Sequence, residues 1–110
     1  MKNDLITVFI KEPNKEFTVK ALPFKRLTPE FRKLLKSTSF FQYGVPYANL
    51  VAYFARKDER NAQFNVKFFG QPIYGTIIFT GCSVDGGEIR NVNADDVQTI
   101  NSLITAACVS

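Results

Sequence analysis

Cys82, Cys108 and ten carboxylates are the groups from which this chain could build a reactive site, since it contains no histidine. Without histidine, neither thiol has the usual base that activates a nucleophile, and Ser-His and Cys-His systems are excluded. Two isolated cysteines are too few for a zinc site or a disulfide framework. Asp95 and Asp96 are adjacent, but they fall at a predicted helix start, where negative charge is stabilising. We therefore predict a protein that is not an enzyme and holds no metal or cofactor.

Phosphate chemistry and membrane insertion are equally poorly supported. The glycine-rich segment 85–88 has no following Lys-Ser/Thr pair, so it indicates a turn rather than a phosphate loop. No apolar run approaches the roughly 20 residues that span a bilayer, and the first residues lack the pattern of a signal peptide. We expect a cytoplasmic protein with reduced thiols and no membrane partner.

Composition indicates an ordinary globular protein. The 110 residues are 45% hydrophobic and 22% charged, which is enough apolar material for a core and too much for a disordered chain. A chain of this length is expected to fold as a single domain, residues 1–110.

Charge is concentrated near the start of the chain. Residues 1–36 contain nine Lys/Arg and four acids, whereas residues 37–110 contain five and six. The densest group, the basic corner, comprises Lys25, Arg26, Arg32, Lys33 and Lys36. It is either a solvated helix face or a positive surface for a phosphate backbone or an acidic protein.

The second candidate site is the aromatic segment, residues 39–50. It places Phe40, Phe41, Tyr43 and Tyr47 around Gly44 and Pro46. Because glycine and proline interrupt regular structure, we predict an irregular loop. Its rings are either tucked under the core or exposed to a partner, and the sequence leaves both open.

The segments around these sites show two hydrophobic patterns, one typical of strands and one typical of helices. Period-2 and continuous apolar patterns predict strands at 5–10, 16–24, 49–58, 62–70, 72–81 and 87–93. At 49–58 the spacing of Leu50, Val51 and Phe54 leaves a helix as the alternative. Period-3.6 patterns predict helices at 27–38, with Thr28 as N-cap and Pro29 following, and at 93–108, with Asn93 as N-cap. Short links favour antiparallel pairing. We predict an α+β two-layer sandwich, with a mainly antiparallel sheet of five to six strands and two helices on one face.

One strand position does not fit this simple pattern. Gly75 interrupts the apolar run 72–81, and a glycine inside a strand often marks a bulge or a close backbone approach. The preceding strand is predicted to turn Phe64, Val66 and Phe68 inwards and Asn65 outwards, and the two strands are predicted to be adjacent central strands of the sheet.

Two stretches, residues 6–22 and 64–100, resemble a family of small uncharacterised proteins carried by phages and bacterial mobile elements. The resemblance lies in turn and strand motifs: Glu12-Pro13-Asn14, Asn65, Ile73-Tyr74-Gly75-Thr76 and Asn93 to Asp96. It implies a mobile-element origin and, with it, an inhibitor or adaptor that binds host machinery. It implies no activity.

These observations favour a non-enzymatic protein-binding module that uses the basic corner and the aromatic segment. Its partner would be a host protein or nucleoprotein complex concerned with defence or nucleic-acid processing. The alternative is a nucleic-acid-binding module in which bases stack on exposed rings and the basic corner contacts the backbone. A homodimer through an edge strand, at 87–93 or in the first hairpin, is a further prediction.

Overall fold

The computed structural model describes residues 4–45, 48–55, 64–83 and 88–108, with the backbone alone for Phe64 and residues 105–108. The elements in chain order are β1 (Leu5–Lys11), β2 (Thr18–Pro23), a 3-10 helix (Phe24–Arg26), α1 (Leu27–Leu35), β3 (Phe40–Val45), β4 (Leu50–Ala55), β5 (Phe64–Phe68), β6 (Gln71–Tyr74), β7 (Ile77–Cys82), β8 (Ile89–Arg90) and α2 (Ala94–Cys108).

The main sheet is antiparallel, in the order β2–β1–β7–β4–β3, with β8 paired to β7 as a sixth strand. The apolar run of β1 places it inside the sheet, where Val8 and Phe9 are both completely buried. The predicted α+β class, with a mainly antiparallel sheet of five to six strands, is confirmed.

The two helices cover opposite faces of this sheet. Phe31 of α1 packs in a cluster with Val8, whereas Ile100 of α2 packs in a second cluster with Phe9. Val8 and Phe9 are neighbours on β1, so their side chains point to opposite faces. The placement differs from the predicted two-layer sandwich with both helices on one face. The reason is that β1 and β7 are apolar on both sides, and each side must be covered.

The strands β5 and β6 form a separate hairpin that packs on the same face as α2. They are not central strands of the main sheet, and the predicted strand 72–81 is divided into β6 and β7. The division falls at Gly75, whose φ of 80° is in the left-handed region that favours glycine. The chain can therefore leave the hairpin at Gly75 and enter the sheet.

Asn65 fixes this junction. Its Nδ2 donates hydrogen bonds to the carbonyls of Lys11, at 2.8 Å, and Gly75, at 2.9 Å. Its Oδ1 accepts one from the Lys11 Nζ at 3.2 Å. Asn65 is buried rather than directed outwards as predicted, because the β5–β6 register shifts beside it. The side chain thus ties β1, β5 and the β6–β7 link together.

The two helix starts differ in how well the sequence identifies them. α2 has the predicted cap: Asn93 Oδ1 accepts the Asp96 N–H at 2.9 Å, and Asp96 Oδ2 accepts the Asn93 N–H at 3.0 Å. α1 instead begins at Leu27 with Arg26 at the N-cap position and no side-chain cap. Thr28 is not the cap, because the 3-10 helix leads directly into α1.

Candidate functional site

The basic corner is divided by the structure. Lys25 and Arg26 lie in the 3-10 helix before α1, whereas Arg32, Lys33 and Lys36 lie at the opposite end of α1. All five side chains are exposed, and no salt bridge within the described ranges involves any of them. Only the second group comes together, around a shallow surface depression also lined by Pro29, Ser37 and Thr38. We call this group the cationic depression.

The position of the cationic depression also has a purely structural explanation. The last carbonyls of α1 lie beside it, and those of Arg32 and Lys33 accept the N–H groups of Ser37, at 3.1 Å, and Lys36, at 3.3 Å. A helix C-terminus carries partial negative charge, so cations there stabilise the helix. The depression therefore does not require a ligand to explain its charge.

The aromatic segment is largely a strand, contrary to the prediction of an irregular loop. Residues Phe40–Val45 form β3, which pairs with β4 at one edge of the sheet. Gly44 lies within this strand, because a glycine weakens strand pairing without preventing it. Tyr47 lies outside the described residues.

Alternation along β3 separates the predicted aromatic residues into two groups. Phe40 is half-buried on the α1 side, with its ring centroid 6.0 Å from those of Phe31 and Tyr53. Phe41 and Tyr43 point to the other face and remain 43% and 40% exposed. Phe40 is thus part of the core, whereas Phe41 and Tyr43 are available at the surface.

Two further rings extend this exposed surface. Phe69, in the turn between β5 and β6, is 51% exposed, and Tyr74 of β6 is 40% exposed. The ring of Tyr43 lies 5.9 Å from that of Phe69, and Phe41 and Tyr74 border the same small cavity. We call Phe41, Tyr43, Phe69 and Tyr74 the aromatic patch.

The cavity beside the patch has a volume of about 130 Å³. Its walls are apolar or uncharged: Phe41, Phe54, Ala55, Gln71, Pro72, Ile73 and Tyr74. An apolar cavity of similar size, roughly 150 Å³, binds benzene in an engineered protein. This cavity can accept one apolar side chain of about that size.

Phe69 occupies a backbone conformation that its side chain does not favour. Phe69 and Gly70 form the two-residue link of the hairpin, with φ values of 51° and 79°. Two positive φ angles are typical of the turn that favours Asn-Gly, whereas a bulky residue there is an outlier. The sequence reasoning missed Phe69, although the Phe69-Gly70 pair was the available signal. It also missed Tyr74, which joins the patch only through the fold.

The aromatic patch and the cationic depression are on different sides of the sheet. α1 covers the face opposite to the side chains of Phe41 and Tyr43. Within residues 40–45 and 64–74, the only charged side chain is Lys67. Among the described residues the patch is therefore aromatic and nearly uncharged, and the structure does not unite the two sequence-predicted sites.

The remaining polar clusters have structural partners. The Arg90 guanidinium contacts Asp96 at 2.7 Å, and this hydrogen bond raises the pKa of Arg90. The Tyr53 hydroxyl lies 3.3 Å from Thr80 Oγ1 in the core, and burial raises its pKa. Cys82 is a half-buried free thiol. In the ranges that the structure describes, no group of three or more His, Cys, Asp or Glu could hold a metal ion.

The fold and the site define a small α+β domain whose aromatic patch lies on the edge strand β3 and on the β5–β6 hairpin. Comparison with protein-family models, curated proteins and solved structures finds no match to this chain. Among the helices of the described residues, none is long and apolar enough to cross a membrane.

Proposed function

We propose that this chain is a non-enzymatic protein-binding module whose contact surface is the aromatic patch. The observation that carries the proposal is the arrangement of Tyr43 and Phe69, two exposed rings 5.9 Å apart on separate elements. Phe69 keeps this position in spite of a positive φ of 51°. Unfavourable backbone conformations concentrate at functional sites, where the surrounding structure maintains them.

The composition of the patch favours a protein partner. Tyrosine and other aromatic residues are enriched in the buried centre of protein interfaces, and charged residues are depleted there. Phe41 and Tyr74 border the cavity of about 130 Å³, which offers a place for an apolar anchor from the partner. We therefore propose that the partner supplies a segment with one such side chain and few charges.

The resemblance to mobile-element proteins bears on the identity of the partner. If the chain has that origin, the partner is a host protein or nucleoprotein complex, and the chain acts on it as an inhibitor or adaptor. Host defence and nucleic-acid-processing machinery are the targets that this origin favours. This part of the proposal depends on the resemblance rather than on the geometry of the patch.

A random displayed peptide library tests the patch directly. Peptides selected on the wild-type chain are measured against Phe41→Ala and, as a matched control, Phe24→Ala, because Phe24 is 46% exposed at the opposite edge of the sheet. We expect apolar-anchor peptides that lose about tenfold or more in affinity with Phe41→Ala, since interface anchors contribute about 2 kcal/mol or more. Equal affinity for both variants would overturn the proposal.

The second candidate function is binding to a nucleic-acid backbone through the cationic depression. Its three exposed cations, Arg32, Lys33 and Lys36, support weak, salt-sensitive binding without sequence reading. The placement of the rings across the sheet does not favour it, because single-strand sites combine stacking rings with cations in one groove. This alternative would be supported if a nucleic-acid column retains the chain and rising salt releases it. The double variant Lys33→Glu with Lys36→Glu should then no longer be retained.

A further inference from the structure

The sheet has two outer strands, β2 and β3, and they differ in how they resist pairing with another chain. β2 carries the exposed Lys20 and ends at Pro23, two features that protect sheet edges. β3 contains neither a charged residue nor a proline. In the described part of the chain, no strand pairs with the outer side of β3.

The segment 87–93 is predicted from the sequence as a dimerisation edge, and its described residues Asn91 and Val92 form hydrogen bonds within the chain. The Val92 N–H donates to the Thr7 carbonyl at 2.9 Å, and the Thr7 N–H donates to Asn91 Oδ1 at 2.7 Å. β8 itself is only two residues long. Among the described strands, β3 is therefore the outer strand with the least protection against pairing with a second chain.

The direction of the backbone groups of β4 follows from one hydrogen bond. The Cys82 N–H donates to the Asn49 carbonyl at 2.9 Å, so Asn49 directs its backbone groups towards β7. In an antiparallel ladder, the N–H and C=O of one residue point to the same side, and successive residues alternate. Val51 and Tyr53 consequently also face β7.

The same alternation determines the outer edge of β3. Ala52 faces away from β7 and pairs with Tyr43, so Tyr43 directs its backbone groups inwards, towards β4. Phe40, Gln42 and Gly44 must then direct their N–H and C=O groups outwards. These three residues present a ladder ready for an antiparallel partner.

A second copy of β3 fits this ladder in one register that pairs all three outward-facing residues with one another. With a two-fold axis through Gln42, each Gln42 pairs with Gln42 of the second copy, and Phe40 pairs with Gly44. The space beside Gly44 is open, with no atom within 4 Å of an added Cβ, so nothing at Gly44 obstructs Phe40 of the second copy. On the other face, Phe41 lies opposite Tyr43, and aromatic cross-strand pairs stabilise sheets.

We propose that two copies of this chain associate through β3 in this register and form a symmetric homodimer with one continuous sheet. The dimer brings the two aromatic patches side by side, because Phe41 and Tyr43 of both copies share one face. The inference does not rest on the proposed function: partner binding by the monomer remains open if dimerisation fails.

Charged residues substituted for Gln42, which lies on the proposed two-fold axis, test the register. Gln42→Lys places two like charges directly opposite each other, as does Gln42→Glu, so each variant should weaken dimerisation by about tenfold or more. An equimolar mixture should restore a heterodimer. Gln98→Lys, the same substitution at an exposed position of α2, should leave the dimer unchanged.

Sedimentation equilibrium measures these states. The wild type should give twice the single-chain mass of 12.4 kDa. A wild type that is monomeric at high micromolar concentration would overturn the proposal. It would also be overturned if both charged variants dimerise as strongly as the wild type.

Cross-linking gives an independent readout that does not require a charge. In a directly hydrogen-bonded antiparallel pair the Cα atoms are about 5.5 Å apart, within the range that a disulfide spans. Gln42→Cys should therefore form a covalent dimer under mild oxidation, and Gln98→Cys should not. Equal cross-linking of the two variants would contradict the two-fold axis through Gln42.

Discussion

The ring of Tyr43 lies 5.9 Å from the ring of Phe69, and this contact joins the edge of the main sheet to the turn of the β5–β6 hairpin. Phe69 in turn packs at 4.8 Å against Phe68, which is buried in the core. The exposed rings of Tyr43 and Phe69 are thus connected to the core through ring contacts. A rigid aromatic surface loses little conformational entropy on binding, which favours a role in recognition.

The first prediction separates surface rings from core rings. Phe41→Ala should lower the free energy of unfolding by only about 1 kcal/mol, because the ring is 43% exposed. Phe31→Ala should cost about 3–5 kcal/mol, because Phe31 is 2% exposed in the core. Urea denaturation of both variants measures this difference. Equal large losses would place Phe41 in the core and remove it from the patch.

The second prediction concerns the Asn65 junction. Asn65→Asp keeps the size of the side chain but removes the amide that donates to the carbonyls of Lys11 and Gly75. Two carbonyls then lose their donor, so we expect a loss of about 2–3 kcal/mol in urea denaturation. Asn101→Asp, at a half-buried position of α2, serves as the control for the added charge. A loss no greater than that of the control would mean that these bonds do not hold the junction.

The third prediction concerns alkaline pH. Burial raises the pKa of Tyr53, while its hydrogen bond with Thr80 acts in the opposite direction with less effect. The folded state therefore prefers the neutral phenol, and this stability is fully present below pH about 10 and lost as the pH rises further. The unfolding free energy of the wild type should decrease more steeply above pH about 10 than that of Tyr53→Phe. Parallel pH profiles would contradict the prediction.

The sequence predicts the elements of the sheet better than their arrangement. The apolar run of β1 and the Asn93–Asp96 cap depend on neighbouring residues, and both are read correctly. The placement of α1 and α2 on opposite faces depends on which strands become central, a property of the whole sheet. Local patterns also could not show that Asn65 would turn inwards, although Gly75 marked the position at which the strand predicted at 72–81 is divided.

The residues of the candidate site likewise include some that the local sequence predicts and others that only the fold brings together. Phe41 and Tyr43 were recognisable as candidates because large rings cluster in one segment. Gly44 misled the interpretation towards a loop, since a glycine weakens a strand but does not prevent one. Phe69 and Tyr74 become neighbours of these residues only when the hairpin folds back over the sheet.

The central claim, that the aromatic patch binds a protein partner, is tested most directly by Phe69→Asn. Asparagine suits the positive φ of 51°, which costs other residues about 1–2 kcal/mol. The melting temperature should therefore stay the same or rise, although ring contacts are lost. Affinity for the peptides selected on the wild-type chain should fall by about tenfold or more, and Phe24→Asn should leave it unchanged. Full peptide affinity in a well-folded Phe69→Asn variant would contradict the account.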